Sequence, residues 1–274
     1  MIIKRLAKNR LALVAAIIFV LLILAAVLAP VIAPYSYSAM DLACKNHGPS
    51  LAHWFGTDNL GRDIFSRILY GGRYSMSAGL LAVAGQMVLG IIFGSIAGFF
   101  GGKVDNVIMR FLDIIQSIPS TILMIAVAAA LGNGYINTVI ALSISSFPQC
   151  SRLLRSKMLS TREEEYVTAA EVIGCSRVRQ IIRHVLPNSW QPLIVSATMG
   201  IAANILQLAS LSYIGLGIQP PIPEWGAMLS GARDYIRTYP YQLIFPGLAI
   251  ALTVLVLNLM GDGLRDALDP KLKD

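Results

Sequence analysis

Residues Leu11 to Ala33 carry no charged side chain, and nearly all of them are apolar. A helix needs about 20 such residues to cross the bilayer hydrocarbon. A helix apolar on every face has no place on the surface of a small soluble domain. This segment therefore commits the chain to a membrane. The basic residues before it, Lys4, Arg5, Lys8 and Arg10, resemble the start of a signal peptide. The apolar run outlasts the roughly 7 to 15 residues of a cleavable core, so it reads as a retained anchor. Pro30 and Pro34 mark where its helix ends.

The rest of the chain has the same character. It is 55% hydrophobic and 14% charged, where soluble domains carry roughly a quarter charged residues. Further spans read as Met76 to Phe100, Ile108 to Leu131, Gly134 to Cys150, Pro192 to Leu216 and Leu243 to Met260. The expectation is an all-α membrane protein with six transmembrane helices, the third kinked near Gln116-Ser117-Ile118-Pro119-Ser120 by its proline.

The net charge of +7 raises the question of nucleic acid. The basic residues instead flank apolar segments, with no basic face interleaved with aromatics, so membrane orientation explains them and nucleic-acid binding is not expected. With the N-terminus inside, sixteen lysines and arginines fall on inner segments and six (Lys45, Arg62, Arg67, Arg73, Arg233, Arg237) on outer ones. That bias places both termini in the cytoplasm. Cys44, Cys150 and Cys175 show no CxxC spacing and no partnering histidines, so neither a disulfide framework nor a metal site is expected.

The expected organisation is a cytoplasmic tail and first span (1–34), an external loop (35–72), a five-helix transmembrane body (73–262) and a cytoplasmic tail (263–274). In the second span Gly90, Gly94 and Gly98 form two overlapping GxxxG units, which permit close helix approach within this subunit or against a partner.

The 41-residue loop Ser151 to Gln191 is too long to be structureless. Ser160 or Thr161 with Glu163 or Glu164 reads as a capping box. A helix follows through Glu165 to Ile173 and stops at Gly174. Ser176 then caps a second helix, Arg177 to Leu186, ended by Pro187. Two helices this short cannot bury a core alone, so Val167, Ala170, Ile173 and Ile181 need another surface.

At this loop the chain resembles a known family. Tyr166-Val167-Thr168-Ala169-Ala170, Gly174 and His184-Val185-Leu186-Pro187-Asn188 look like the EAA loop (160–188) of permeases in bacterial ABC importers, with Thr168 at the glutamate position and His184 at the isoleucine position. The wording is that of the C-type permease subunits of dipeptide, oligopeptide and nickel importers. Phe55-Gly56-Thr57-Asp58-Asn59-Leu60-Gly61-Arg62-Asp63, Leu211-Ser212-Tyr213-Ile214-Gly215-Leu216-Gly217, Pro223-Glu224-Trp225-Gly226 and Gly261-Asp262-Gly263-Leu264-Arg265-Asp266 agree with it in order. Leu208 departs from it, standing where peptide-permease relatives often carry glutamate.

The resemblance implies a type I ABC importer permease fold in the bacterial cytoplasmic (inner) membrane. It implies a second homologous permease subunit, two ABC ATPase subunits and an extracytoplasmic substrate-binding protein as partners. Cargo would be di- or oligopeptides, or a nickel chelate or other metallophore. Glu165, Tyr166, Val167, Ala169, Ala170, Gly174, Leu186 and Pro187 would couple the ATPase to transport. The chain has no GxxxxGK[ST] loop, so ATP and magnesium belong on the ATPase subunits, with no cofactor and no catalytic residue here.

Polar residues inside spans usually face a bundle interior or a cavity. Gln86, Gln116, Ser117, Asn204 and Gln207 are therefore candidates to line a pathway, with interhelical hydrogen bonding as the alternative. Asp113 and Asp262 lie near inner ends and should be interfacial or paired with Arg110 and Arg265. The external loop and the Ile218 to Tyr241 segment could meet a binding protein. An intramembrane protease would need a membrane-embedded histidine or paired aspartates, and His47, His53 and His184 all lie outside the spans. A stand-alone secondary carrier remains the other reading, distinguished by internal repeats and mid-membrane charge pairs that are not found.

Overall fold

The computed structural model describes residues 9–268. Lys4, Arg5, Lys8, Lys271 and Lys273, on which part of the charge bias rests, lie outside the described residues. The elements are α1 (Arg10–Val27), α2 (Ile64–Phe100), α3 (Gly102–Gln116), α4 (Ser120–Leu131), α5 (Tyr135–Thr161), α6 (Glu165–Val172), α7 (Gln191–Tyr213), α8 (Trp225–Ala232) and α9 (Tyr241–Leu268).

Helices α1, α2, α7 and α9 are each long and apolar enough to cross a membrane. The third expected span is instead two helices, α3 and α4, bent by 82°. Pro119 denies α4 a continuous ladder, and Ser117 and Ile118 complete the break. Helix α4 has 12 residues, roughly 18 Å, short of the ~30 Å hydrocarbon. The pair therefore counts at most as one broken span, the fifth.

The fourth expected span does not stop at Cys150: α5 runs on to Thr161. It falls short of a membrane span on apolarity, because its buried face is small and hydroxylated. Ser143, Ser145 and Ser151 are buried, and their hydroxyls donate to helix carbonyls, including Ala82 O at 3.2 Å and Phe147 O at 3.0 Å. A helix sheltered by protein need not be as apolar as one facing lipid.

Helix α2 is the axis of the fold. It starts at Ile64, well before the expected Met76, because the Asp63 carboxylate accepts the Ser66 N–H at 2.7 Å as an N-cap. The glycine stripe on its C-terminal half lies against α5. A Cβ at Gly94 would fall 2.6 Å from Ser151 O, and one at Gly98 would fall 2.8 Å from Met158 Cβ. The GxxxG units therefore pack within the subunit, where bare backbone lets the two helices approach.

The loop before α2 is folded rather than loose. His53 Nδ1 lies 2.9 Å from Asp63, and Arg62 pairs with Asp58 at 2.7 Å. Phe55 stacks on Phe245 of α9 at 4.1 Å. Gln242 donates to Asn46 at 2.9 Å and to Thr57 O at 3.2 Å. Glu224 is fully buried and caps α8, accepting the Gly226 and Ala227 N–H groups at 2.9 and 2.8 Å and the Ser75 hydroxyl at 3.1 Å. Burial pushes its carboxyl above the ordinary value against those donors.

Candidate functional site

The loop between α5 and α7 forms two short helical pieces around a sharp elbow, and its local details differ from expectation. Ser160 and Thr161 close α5 instead of opening the next helix, because α5 keeps packing through Leu154, Met158 and the buried Thr161. Helix α6 is preceded by Glu164, whose side chain makes no capping bond, and Ser176 makes none to the second piece. Pro187 does not end that piece. The chain widens into a π-turn over Ile181–Val185, then resumes as helix over Leu186–Ser189 with Pro187 in its first turn. A proline there needs no N–H partner, and the widened turn clears its ring.

The elbow itself is at Gly174. It has φ +82°, with its N–H on Glu171 O at 2.9 Å and the Cys175 N–H on Ala170 O at 3.0 Å. This is a Schellman stop, and glycine occupies the left-handed position it requires. Nothing lies within 4 Å of the place a Cβ would take, so backbone conformation, not space, selects glycine.

Helix α6 presents two faces. Val167 and Ala170 are 4% and 5% exposed. Val167 joins a core of Leu154, Met158, Val185 and Leu193, backed by Met87, Ile91 and Phe99 of α2. These two residues thus seat the helix on the bundle and do not face outward. The opposite face carries Tyr166 and Ala169, both exposed, and ends at Val172 and Ile173, exposed by 81% and 84%. Val178 and Ile182 of the second piece are exposed as well, apolar surface that a monomer leaves open. Leu186 is half-buried in the core and Pro187 is exposed.

Polar contacts tie the loop to the spans. Arg162 donates to Phe99 O at 3.1 Å, capping the end of α2 where helix carbonyls favour a cation. Arg155 of α5 grips Asp105 of α3 through two hydrogen bonds. The contact raises the Arg155 pKa. Gln191 donates to Leu268 O at 2.6 Å, joining the loop's exit to the end of α9. One core therefore joins α6 to α2, α5 and α7, while the Arg155–Asp105 pair and the Gln191–Leu268 bond tie in α3 and α9. Arg155, Arg162, Val172 and their roles were not expected from sequence. Only Val172 left a signal, its helical spacing from Tyr166 and Ala169.

The candidate pathway residues do not form one surface. Gln86 and Asn204 are buried and bonded to each other at 3.0 Å, with Gln86 also donating to Leu142 O at 3.3 Å. That is an interhelical tie between α2, α5 and α7. Gln207 is half-buried with an unpartnered Oε1, while Gln116 is half-buried and Ser117 exposed at the break between α3 and α4. Asp113 pairs with Arg110 at 3.8 Å and more closely with Arg152. Among the described residues, no ion pair joins Asp262 to Arg265.

The helical bundle carries a broken third span and a bent loop between α5 and α7, and sequence comparison gives its class. The chain belongs to the family described as binding-protein-dependent transport system inner membrane components, whose model matches residues 90–274. A second model, the N-terminal TM domain of oligopeptide transport permease C, matches residues 1–49. It is 48% identical over 270 residues to the dipeptide transport system permease protein DppC of Alkalihalophilus pseudofirmus, covering 98% of this chain and 89% of that one. It is 45% identical over 271 residues to the glutathione transport system permease protein GsiD of Pectobacterium atrosepticum, covering 98% and 90%. The fold is similar to that of the MetNI methionine ABC transporter, with TM-score 0.59 and 16% identity, covering 73% of this chain and 96% of that one. An amino acid ABC transporter follows at TM-score 0.54 and 13% identity, covering 72% and 92%. This chain is thus a multi-pass inner-membrane permease subunit of an ABC importer. It works with ATPase and substrate-binding partners and hydrolyses no ATP itself.

Proposed function

We propose that this subunit forms half of a pathway for short peptides, dipeptides and glutathione-sized tripeptides being the nearest models. One observation carries the reading: identity of 45–48% to dipeptide and glutathione permeases along 98% of the chain. A nickel chelate or other metallophore is the weaker reading.

The assembly pairs this chain with a second, homologous permease above two ATPase subunits, with a binding protein outside. Both termini face the cytoplasm, and the loop before α2 faces out. Exposed Met40, Leu42, Leu51 and Trp54 on that loop offer the binding protein an apolar docking face. ATP and magnesium sit on the ATPases. The outward face of α6 inserts into one of them, with Tyr166, Ala169, Val172 and Ile173 as contacts. Val167, Ala170, Gly174, Leu186 and Pro187 hold that face at its angle. Closure of the ATPases then rocks α2, α5 and α7, giving alternating access. Gln207, Gln116 and Ser117 are the better candidates to meet cargo, since Gln86 and Asn204 are buried and bonded to each other.

Reconstitution of the full complex in proteoliposomes tests this. ATP-dependent uptake of a labelled dipeptide or of glutathione is expected, competed by unlabelled peptide and absent without the binding protein. Uptake of nickel chelate with no peptide uptake would overturn the substrate reading.

A further inference from the structure

A cavity of about 690 Å³ opens between α1, α2, α7 and the start of α5, within the range of about 300–1,000 Å³ typical of small-molecule sites. Its floor is apolar: Phe19, Ile23, Met76, Leu80 and Ile201. Its rim is different. Tyr135 holds Ser77 through a 2.7 Å hydrogen bond and meets the Tyr74 ring edge-on at 6.3 Å. Arg73 stands exposed beside them and takes part in no ion pair among the described residues.

The extent of the cavity limits its occupant. It touches α2 only from Gly72 to Leu80, roughly 12 Å of helix, which is about the depth of one leaflet of a ~30 Å hydrocarbon layer. On α1 it touches only the second half, Phe19 to Val27. A transmembrane helix of a partner would need a groove through both leaflets. A single acyl chain needs one. Tyrosines and an arginine at the mouth, with apolar walls beneath, match an amphiphile whose phosphate lies at the interface.

We propose that this cavity holds one phospholipid from the leaflet adjoining the loop before α2, with its tail along Phe19, Ile23 and Leu80 and its phosphate on Arg73. An anionic headgroup is favoured, because Arg73 has no carboxylate to neutralise it and guanidinium pairs well with phosphate oxygens. None of the candidate coupling or pathway residues lines the cavity. It stands or falls independently of the cargo.

The complete transporter, purified in mild detergent and exposed to phosphatidylglycerol, provides the test by native mass spectrometry. One tightly retained phosphatidylglycerol is expected in the wild type, with phosphatidylcholine retained more weakly. Arg73→Gln is expected to weaken retention about tenfold, the worth of one charge-assisted contact. Ile23→Trp, which fills the floor without touching the rim, is expected to abolish it. Both variants should assemble normally, as Ile23 and Arg73 are exposed. Equal retention in all three proteins would overturn the proposal. So would a disulfide crosslink from Ile23→Cys to the second permease, which would mean that a protein helix fills the space.

Discussion

Replacing Gly174 with leucine is expected to leave the subunit in the membrane at normal abundance and to cut transport at least about tenfold. The left-handed conformation at φ +82° costs a residue with a Cβ about 1–2 kcal/mol. The cost of holding it is met only while the Schellman bonds from Gly174 and Cys175 persist. Leucine would tip the segment toward a longer or redirected α6, and Tyr166, Ala169, Val172 and Ile173 would lose their common direction. Because the site is open, no clash unfolds the bundle. ATPase activity should continue while uptake falls. Gly174→Asn, a residue that tolerates this conformation better, should recover a substantial part of uptake. Normal uptake in Gly174→Leu at normal abundance would refute the elbow's role.

The larger structural effect is expected at Gly94. Leucine there is expected to remove folded protein from the membrane, because its Cβ alone would meet the Ser151 carbonyl at 2.6 Å and Leu154 Cβ at 3.1 Å. Backbone cannot yield as a side chain does. Overpacking a tight site typically costs about 1–3 kcal/mol, and here α2 and α5 would be levered apart along Gly90 and Gly98 as well. Ile92→Leu, on the exposed side of α2, is the control and should behave as wild type. Membrane abundance and thermal stability in detergent read both. An abundant, stable Gly94→Leu protein would contradict the close packing of these helices.

Much of this was legible from residue order because the relevant signals are local. Uncharged apolar length marked α1, α2, α7 and α9. Gly174 marked the elbow, since few other residues adopt its conformation cheaply. The glycine stripe marked a close interface, although sequence left open whose interface it was. Tertiary packing decided the rest. Ser160 and Thr161 have the residue types of a helix start, yet α5 continues through them because Leu154 and Met158 gain a core by doing so. Pro187 reads as a stop, but a π-turn upstream absorbs it. The pairing of Asp105 with Arg155 joins residues fifty apart, with no trace in spacing. Which face of α6 turns inward was left open by sequence for a related reason. Val167 and Ala170 are apolar like Ile173, and only the position of Leu193 and Val185 shows which of them turns inward.

The central claim is that the outward face of α6 is gripped by an ATPase on the cytoplasmic side. Its most direct test is a cysteine crosslink from Ile173→Cys, with Cys44, Cys150 and Cys175 replaced by serine, in the assembled complex. The account predicts a covalent adduct with the ATPase subunit, and labelling by an impermeant thiol reagent in inside-out vesicles only. Labelling of that cysteine in intact spheroplasts, or its failure to reach any ATPase while transport proceeds, would contradict it.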